Sequence, residues 1–271
     1  MDTQRTPDHW PEALVLLLAH GSETTPGAAQ LVKRHAATLK SQNLFADARA
    51  AFLRDTPHPR DVIDASPHKD IYIVPFMISE GYSIEVLIPE ALGLTGPLTE
   101  RISKQGRRRI HLCHSIGTHD AITDEIVTTV NTLIKDNSLA SQDTSVLIAA
   151  HGTKRHPGNN QQSTGVAASI ANRCPVQSAH AIFLEEPPFI TDWQSLSTGP
   201  NTIVIPHLMT TGRHATIDVP EMLGIPNTHE TFGPHHVAGR YLWYTPVVGS
   251  FSSIPEIAVD RIHDWDRANA G

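Results

Sequence analysis

The strongest constraint on this chain is a repeat with a fixed offset. Over about 75 residues, positions 131 apart carry the same residue without a gap: His20 and His151, Pro26 and Pro157, Phe52 and Phe183, Leu53 and Leu184, Pro57 and Pro188. The register continues through Pro75 and Pro206, Gly81 and Gly212, Pro89 and Pro220, Glu90 and Glu221, and Gly93 and Gly224. A repeat of that length is one folding unit used twice. The 271 residues therefore read as two homologous halves, 12–137 and 143–265, joined near KDNSLASQDTS.

Each half alternates short apolar runs with longer amphipathic ones. In the first half, strands are predicted at Leu14–Ala19, Ala48–Leu53, Ile71–Pro75 and Arg109–Cys113, with helices at Gly27–Lys40, Arg60–Ala65, Ser83–Leu92 and His119–Ile134. In the second half, the strands are Val146–Ala150, Gln177–Leu184, Thr202–Pro206 and Tyr241–Thr245. Short runs that are apolar throughout suit strands buried on both faces, as a parallel sheet requires. The expected fold is α/β: two three-layer α/β/α lobes, each built on a mainly parallel four-stranded sheet. Such sheets bind ligands beyond the carboxyl ends of their strands. His20, His151, Pro75 and Pro206 all fall at those ends.

Three stretches of the second half bring reactive groups to that rim. VLIAAHGTKRHPG ends a strand at His151, followed by Gly152 and Thr153. FLEEPP places Glu185 just after a second strand. IPHLMTTGRHATIDVPEMLG ends a third strand at Pro206, turns at Gly212, and opens a helix with His214. His214 and Asp218 are four apart and share a helix face. Two histidines and a carboxylate at one rim can bind a divalent metal, accept protons, or both. The first half keeps the glycines and prolines but has Ser83, Leu87, Arg54 and Phe76 where the second has His214, Asp218, Glu185 and His207. The working site is expected in the second half, with the first mainly structural.

Composition narrows the partners. The net charge of −7 argues against nucleic acid or an anionic membrane surface. No apolar run approaches the roughly 20 residues that span a bilayer. The start MDTQRTPDHWPEA has no basic or apolar leader region. Two distant cysteines, Cys113 and Cys174, fit a reducing cytoplasm, with Cys174 read as inert and half-buried. Arg107–Arg109 reads as a solvated strand entrance. Seventeen histidines are an excess that makes metal chemistry worth testing. His20 and His207 are accessory candidates, and GPHH, Gly233–His236, is a possible metal-delivery loop.

At these residues the sequence resembles the class II tetrapyrrole chelatases, most closely the CbiX-type sirohydrochlorin cobaltochelatases. The resemblance covers nearly the whole chain. Its motifs are H-G-S/T after a strand, F-L-E after the next, and P-x-x-x-x-x-G-x-H-x-x-x-D-x-P after the third; the second half carries all three. The resemblance implies a two-lobed chelatase-like fold and ATP-independent insertion of Co²⁺, Fe²⁺ or Ni²⁺ into a metal-free tetrapyrrole, with the metal as substrate and no organic cofactor. Carried over residue by residue, His151 and His214 bind metal and accept protons, and Glu185 is the acidic helper. Asp218 holds His214 in one tautomer, and Arg213, Gly152 and Thr153 meet the substrate. Two-lobed cobaltochelatases usually carry the paired histidines in the N-terminal lobe. Here they lie in the C-terminal one, as in ferrochelatases that make haem, so a ferrochelatase acting on a porphyrin stays open. A non-catalytic metal or tetrapyrrole carrier is a further alternative. A zinc hydrolase lacks the H-E-x-x-H motif. Two fused lobes mimic a dimer of single-lobe proteins, so a monomer is expected.

Overall fold

The computed structural model describes residues 9–21, 26–103, 106–152, 159–226 and 231–269. The first strands and helices are β1 (Trp10–Ala19), α1 (Pro26–Ser41), β2 (Phe45–Phe52), α2 (Pro59–Ala65) and β3 (Asp70–Pro75). A π-helical turn (Ser83–Leu87) then runs into α3 (Ile88–Leu92), followed by β4 (Leu98–Ser103), β5 (Gly106–Leu112) and α4 (Asp120–Asp136). The order repeats as β6 (Thr144–Ala150), α5 (Asn159–Arg173), β7 (Ser178–Phe183), α6 (Trp193–Leu196) and β8 (Asn201–Pro206). A second π-helical turn (His214–Asp218), α7 (Val219–Leu223), β9 (Gly233–Val237), β10 (Arg240–Tyr244) and α8 (Ile254–Asn269) complete the chain.

The strands form two sheets of identical order, β2-β1-β3-β5-β4 and β7-β6-β8-β10-β9. All neighbours are parallel except the edge pairs β4–β5 and β9–β10. β6 is buried along its whole length, and β1 from Ala13 onward, because their apolar runs serve both faces. In the first sheet, Leu14, Leu16 and Leu18 pack with Val62 and Ile63 of α2 and Ile88 and Leu92 of α3. In the second, Leu147 and Ala149 pack with Trp193 of α6 and Val219 and Leu223 of α7. Fully buried apolar side chains of this size contribute about 1.5–3 kcal/mol each, which is why the central strands set the register. The opposite faces take α1 with α8, and α5.

Each sheet thus has five strands, not the four expected. The fifth is an antiparallel edge without an apolar run. β4 alternates Thr99 inward with Glu100 outward, and Ile102 is 90% exposed. β9 is the stretch read as a GPHH loop. It is a strand instead, with His236 against the Tyr241 ring and the His235 side chain bonded to the Thr231 carbonyl. Ala238 and Gly239, at φ 52° and 78°, make the two-residue turn into β10. Both central residues of such a turn need positive φ, and Ala is an unusual choice there. The arginine run is also not simply solvated. Arg107 pairs with Glu100 and Arg109 with Asp70, but Arg108 is buried and donates to the carbonyls of Ile63 and Ser66 at the end of α2. The Ile63 carbonyl also accepts from the Ser66 N–H, and the guanidinium completes the cap at this helix end.

Packing cuts the chain differently from the sequence halves 12–137 and 143–265. One compact unit comprises Met1–Thr118 with Ser252–Gly271, and the other His119–Phe251. Helix α8 therefore belongs to the first unit. There Trp10 Nε1 and the Tyr72 hydroxyl both donate to the Asp266 carboxylate, at 2.8 and 2.7 Å. Trp265 stands edge-on to His111, which itself stacks on Tyr72. Helix α4 belongs to the second unit, where Arg173 of α5 meets Asp124 at 2.8 Å. Among the described residues, no helix is long and apolar enough to cross a membrane.

Candidate functional site

In the second unit, parallel pairing carries on past the strand ends. Leu184 N–H donates to the Ala150 carbonyl, and Glu185 N–H to that of His151, each at 3.1 Å. This fixes Glu185 beside His151. The chain then turns at Gly152, with φ +71°, where a Cβ would lie 2.8 Å from a Glu186 carboxylate oxygen. Glycine suits both the left-handed backbone and the close approach.

His214 reaches the same rim through the π-helical turn. Val219 N–H bonds back five residues to the His214 carbonyl. Pro220 follows and has no N–H to give, so the tighter α pattern cannot continue through this point. Single π turns of this kind occur often at functional sites. The Tyr244 hydroxyl of β10 donates to the Ala215 carbonyl at 2.8 Å and ties the turn to the sheet.

The geometry fixes the tautomer of each ring. His151 and His214 have ring centroids 4.9 Å apart at 78°. His151 Nδ1 lies 2.8 Å from the Gly152 carbonyl, which only accepts, so Nδ1 carries the hydrogen. His214 Nδ1 lies 2.7 Å from an Asp218 oxygen, again an acceptor. On both rings Nε2 is left with its lone pair for a metal or a proton. Glu185 Oε1 stands 3.7 Å from His151 Nε2. The second Asp218 oxygen meets Arg213 Nε at 3.1 Å, so Arg213 helps hold the carboxylate as well as facing solvent. Among the described residues, no group of three or more His, Cys, Asp or Glu is gathered closely enough to hold an ion. The site is a histidine pair with a carboxylate beside it. Thr153 lies outside the described residues.

The accessory candidates lie elsewhere. His207 is fully buried, not on an open loop. The Ser163 hydroxyl lies 2.8 Å from its Nδ1, and Nε2 has no hydrogen-bond partner. Burial pushes its pKa down to about 4, so it is neutral near pH 7. Nothing in the sequence of α5 pointed to Ser163, since a lone serine inside a helix carries no such signal. Glu186, packed over Gly152, was equally unmarked beside Glu185. His20 sits in the first unit, with Nε2 3.1 Å from the Ser83 hydroxyl.

A family model described as CbiX matches the chain twice, over residues 14–133 and 145–265. A relative from Halobacterium salinarum, named probable sirohydrochlorin cobaltochelatase, is 26% identical over 268 residues, which is 93% of this chain and 91% of the relative. Among solved structures, a multi-domain protein of Deinococcus radiodurans with structural similarity to chelatases superposes with a TM-score of 0.69 at 20% identity. The match takes in 92% of this chain but only 54% of that protein, which carries two additional domains. A CbiX described as the terminal enzyme for biosynthesis of siroheme in denitrifying bacteria gives 0.68 at 21% identity, over 92% of this chain and 98% of the other.

Proposed function

Because the chain belongs to the CbiX family, we propose that it inserts a divalent metal ion into sirohydrochlorin, with Co²⁺ as the metal and no ATP or organic cofactor. The observation that carries this reading is the pair of imidazoles, 4.9 Å apart, each with Nδ1 tied to an acceptor and Nε2 left with its lone pair. Two things must happen for insertion: the hydrated ion sheds water, and two pyrrole N–H protons leave. His151 and His214 hold the incoming ion through Nε2 and take up the protons as it passes into the ring. Glu185, 3.7 Å from His151 Nε2, passes a proton on to solvent. A site with two protein nitrogens keeps coordination positions open, which suits a metal that is substrate and must be released. Arg213, at the edge of the site, also offers a guanidinium to a carboxylate of the macrocycle.

Fe²⁺ is the second reading. The similar solved CbiX is described as completing siroheme, an iron tetrapyrrole, whereas the Halobacterium relative is named for cobalt. The same reading places the reaction in the cytoplasm, where the free thiols Cys113 and Cys174 stay reduced, and makes the working species a monomer. The test is an anaerobic absorbance assay with metal-free sirohydrochlorin and catalytic protein, run with Co²⁺ and with Fe²⁺. Conversion well above the uncatalysed rate is expected. Turnover of a porphyrin alone, or a stoichiometric complex without turnover, would overturn the proposal in favour of a porphyrin ferrochelatase or a carrier.

A further inference from the structure

The first unit repeats the rim of the second with two of its carboxylates, those of Glu185 and Asp218, replaced. Arg54 N–H donates to the His20 carbonyl at 2.8 Å, just as Glu185 N–H does to that of His151. Gly21 turns the chain at φ +76°, as Gly152 does at +71°. The π-helical turns Ser83–Leu87 and His214–Asp218 match. The side chains on this common frame differ, although Asp55 keeps the carboxylate of Glu186 and Tyr82 stands where the second unit has Arg213. Arg54 stands for Glu185, and Leu87 for Asp218, so two carboxylates are gone and a guanidinium has been added. Ser83 stands for His214 and points its hydroxyl at His20 Nε2, 3.1 Å away.

Arg54 is exposed, and among the described residues no ion pair joins it to a carboxylate. Two acids stand near it and accept local hydrogen bonds. Asp55 accepts from the Thr56 N–H at 2.6 Å, and Glu80 from the Ser115 N–H at 2.8 Å. Desolvation first, and then the Arg54 charge, push the His20 pKa down. When the His20 ring carries its hydrogen on Nε2 it donates to the Ser83 oxygen, and the hydroxyl hydrogen is then available to a ligand.

We propose that the rim of the first unit is a carboxylate-binding site, in which Arg54 and the Ser83 hydroxyl hold the anion and His20 fixes the hydroxyl. A guanidinium and a hydroxyl offer a carboxylate charge-assisted hydrogen bonds. The anion is a side chain of the macrocycle or a free small carboxylate; the first source rests on the function proposed above. A hydrolytic use of the serine–histidine pair fits less well. Among the described residues no carboxylate bonds the His20 ring, and Leu87 occupies the place from which Asp218 orients His214.

The test is a titration of the full chain, with ¹⁵N-labelled histidine, by propane-1,2,3-tricarboxylate. Saturable shifts of the His20 resonances are expected, lost in Arg54→Gln and weakened in Ser83→Ala, and kept in His151→Ala. Unmoved His20 signals, or equal shifts in Arg54→Gln, would overturn the proposal, as would acylation of Ser83 by p-nitrophenyl acetate. A second arm measures the affinity for metal-free sirohydrochlorin. A loss of roughly tenfold in Arg54→Gln, the scale of one charged hydrogen bond, identifies the macrocycle as the source. An unchanged affinity alongside the tricarboxylate response identifies a free carboxylate. Wild-type protein that fails to metallate sirohydrochlorin counts against the function reading, and the His20 titration still decides the site.

Discussion

Asp218→Asn is the substitution that most directly tests how the histidine pair is prepared. Asp218 is acceptor-only, and its 2.7 Å contact holds the hydrogen on His214 Nδ1, leaving Nε2 with its lone pair, the atom that the proposed function gives to the metal. Asparagine keeps the shape but offers an NH₂ as readily as an oxygen. With the NH₂ turned to Nδ1, His214 carries its hydrogen on Nε2 and cannot ligate. Hydrogen bonds to charged groups contribute about 1.5–3 kcal/mol when well shielded. Here the His214 side chain is 50% and Asp218 24% exposed, which moves the effect to the low end. About 1.4 kcal/mol is tenfold in affinity, at the lower limit of what partners of metal-binding histidines usually supply. The expected result is therefore a roughly tenfold weaker Co²⁺ affinity by anaerobic calorimetry, with a comparable fall in insertion rate and unchanged thermal stability. The His214 ¹⁵N shifts would show the hydrogen moved from Nδ1 towards Nε2. Affinity within twofold of wild type, with the Nδ1–H tautomer retained, would refute the reasoning and leave Asp218 as a partner of Arg213 only.

Three further outcomes follow from the same geometry. His151→Ala or His214→Ala should reduce metal insertion by at least about a hundredfold, while His20→Ala should leave Co²⁺ affinity unaltered; equal loss in all three would place His20 in the metal site. His207→Phe, which installs the residue found at Phe76 in the first half, should flatten acid destabilisation. The unfolded chain protonates this histidine below about pH 6.5 and the folded chain only below about 4, so the contribution is present above 6.5 and is lost as pH falls through that window. Between pH 7 and pH 4.5 it amounts to about 2.4 kcal/mol, read from denaturant midpoints at those two pH values, and an unchanged slope would contradict it. Gly249→Ala should cost at least about 3 kcal/mol, because the added Cβ would lie 1.8 Å from the Met209 carbonyl in the segment leading from β8 to His214. A loss under about 1 kcal/mol by chemical denaturation would show that the segment moves freely.

The parallel strands were legible because burial on both faces leaves only apolar residues to choose from, as in Leu14–Ala19 and Val146–Ala150. The edge strands were not, because β4 and β9 have one neighbour and need no such run. Arg108 was misread since charge normally marks the surface, and only the fold shows the helix carbonyls it satisfies. The regrouping of α4 and α8 was also hidden. An amphipathic helix shows which of its faces is covered, not which sheet covers it. At the site, His151, Glu185, His214 and Asp218 were readable as a set because three strand ends bring them to one rim. The bond between Ser163 and His207 joins positions 44 apart in sequence and leaves no local trace.

The two rims also show which residues a duplicated fold can change. Gly21 and Gly152 carry left-handed backbone, and Pro89 and Pro220 follow matching π turns. A substitution at such a place is felt by the backbone itself, whatever the site does. The side chains above that backbone face solvent or ligand and carry little of the folding free energy. They could diverge from Glu185 and His214 to Arg54 and Ser83 without disturbing the turn beneath. The shared positions therefore report the fold and the divergent ones report the chemistry. On that argument, transplanting histidine, glutamate and aspartate into the first unit at Ser83, Arg54 and Leu87 should create Co²⁺ affinity there without unfolding it. A triple variant that folds and binds Co²⁺ no better at His20 would show that the turns differ in more than their side chains.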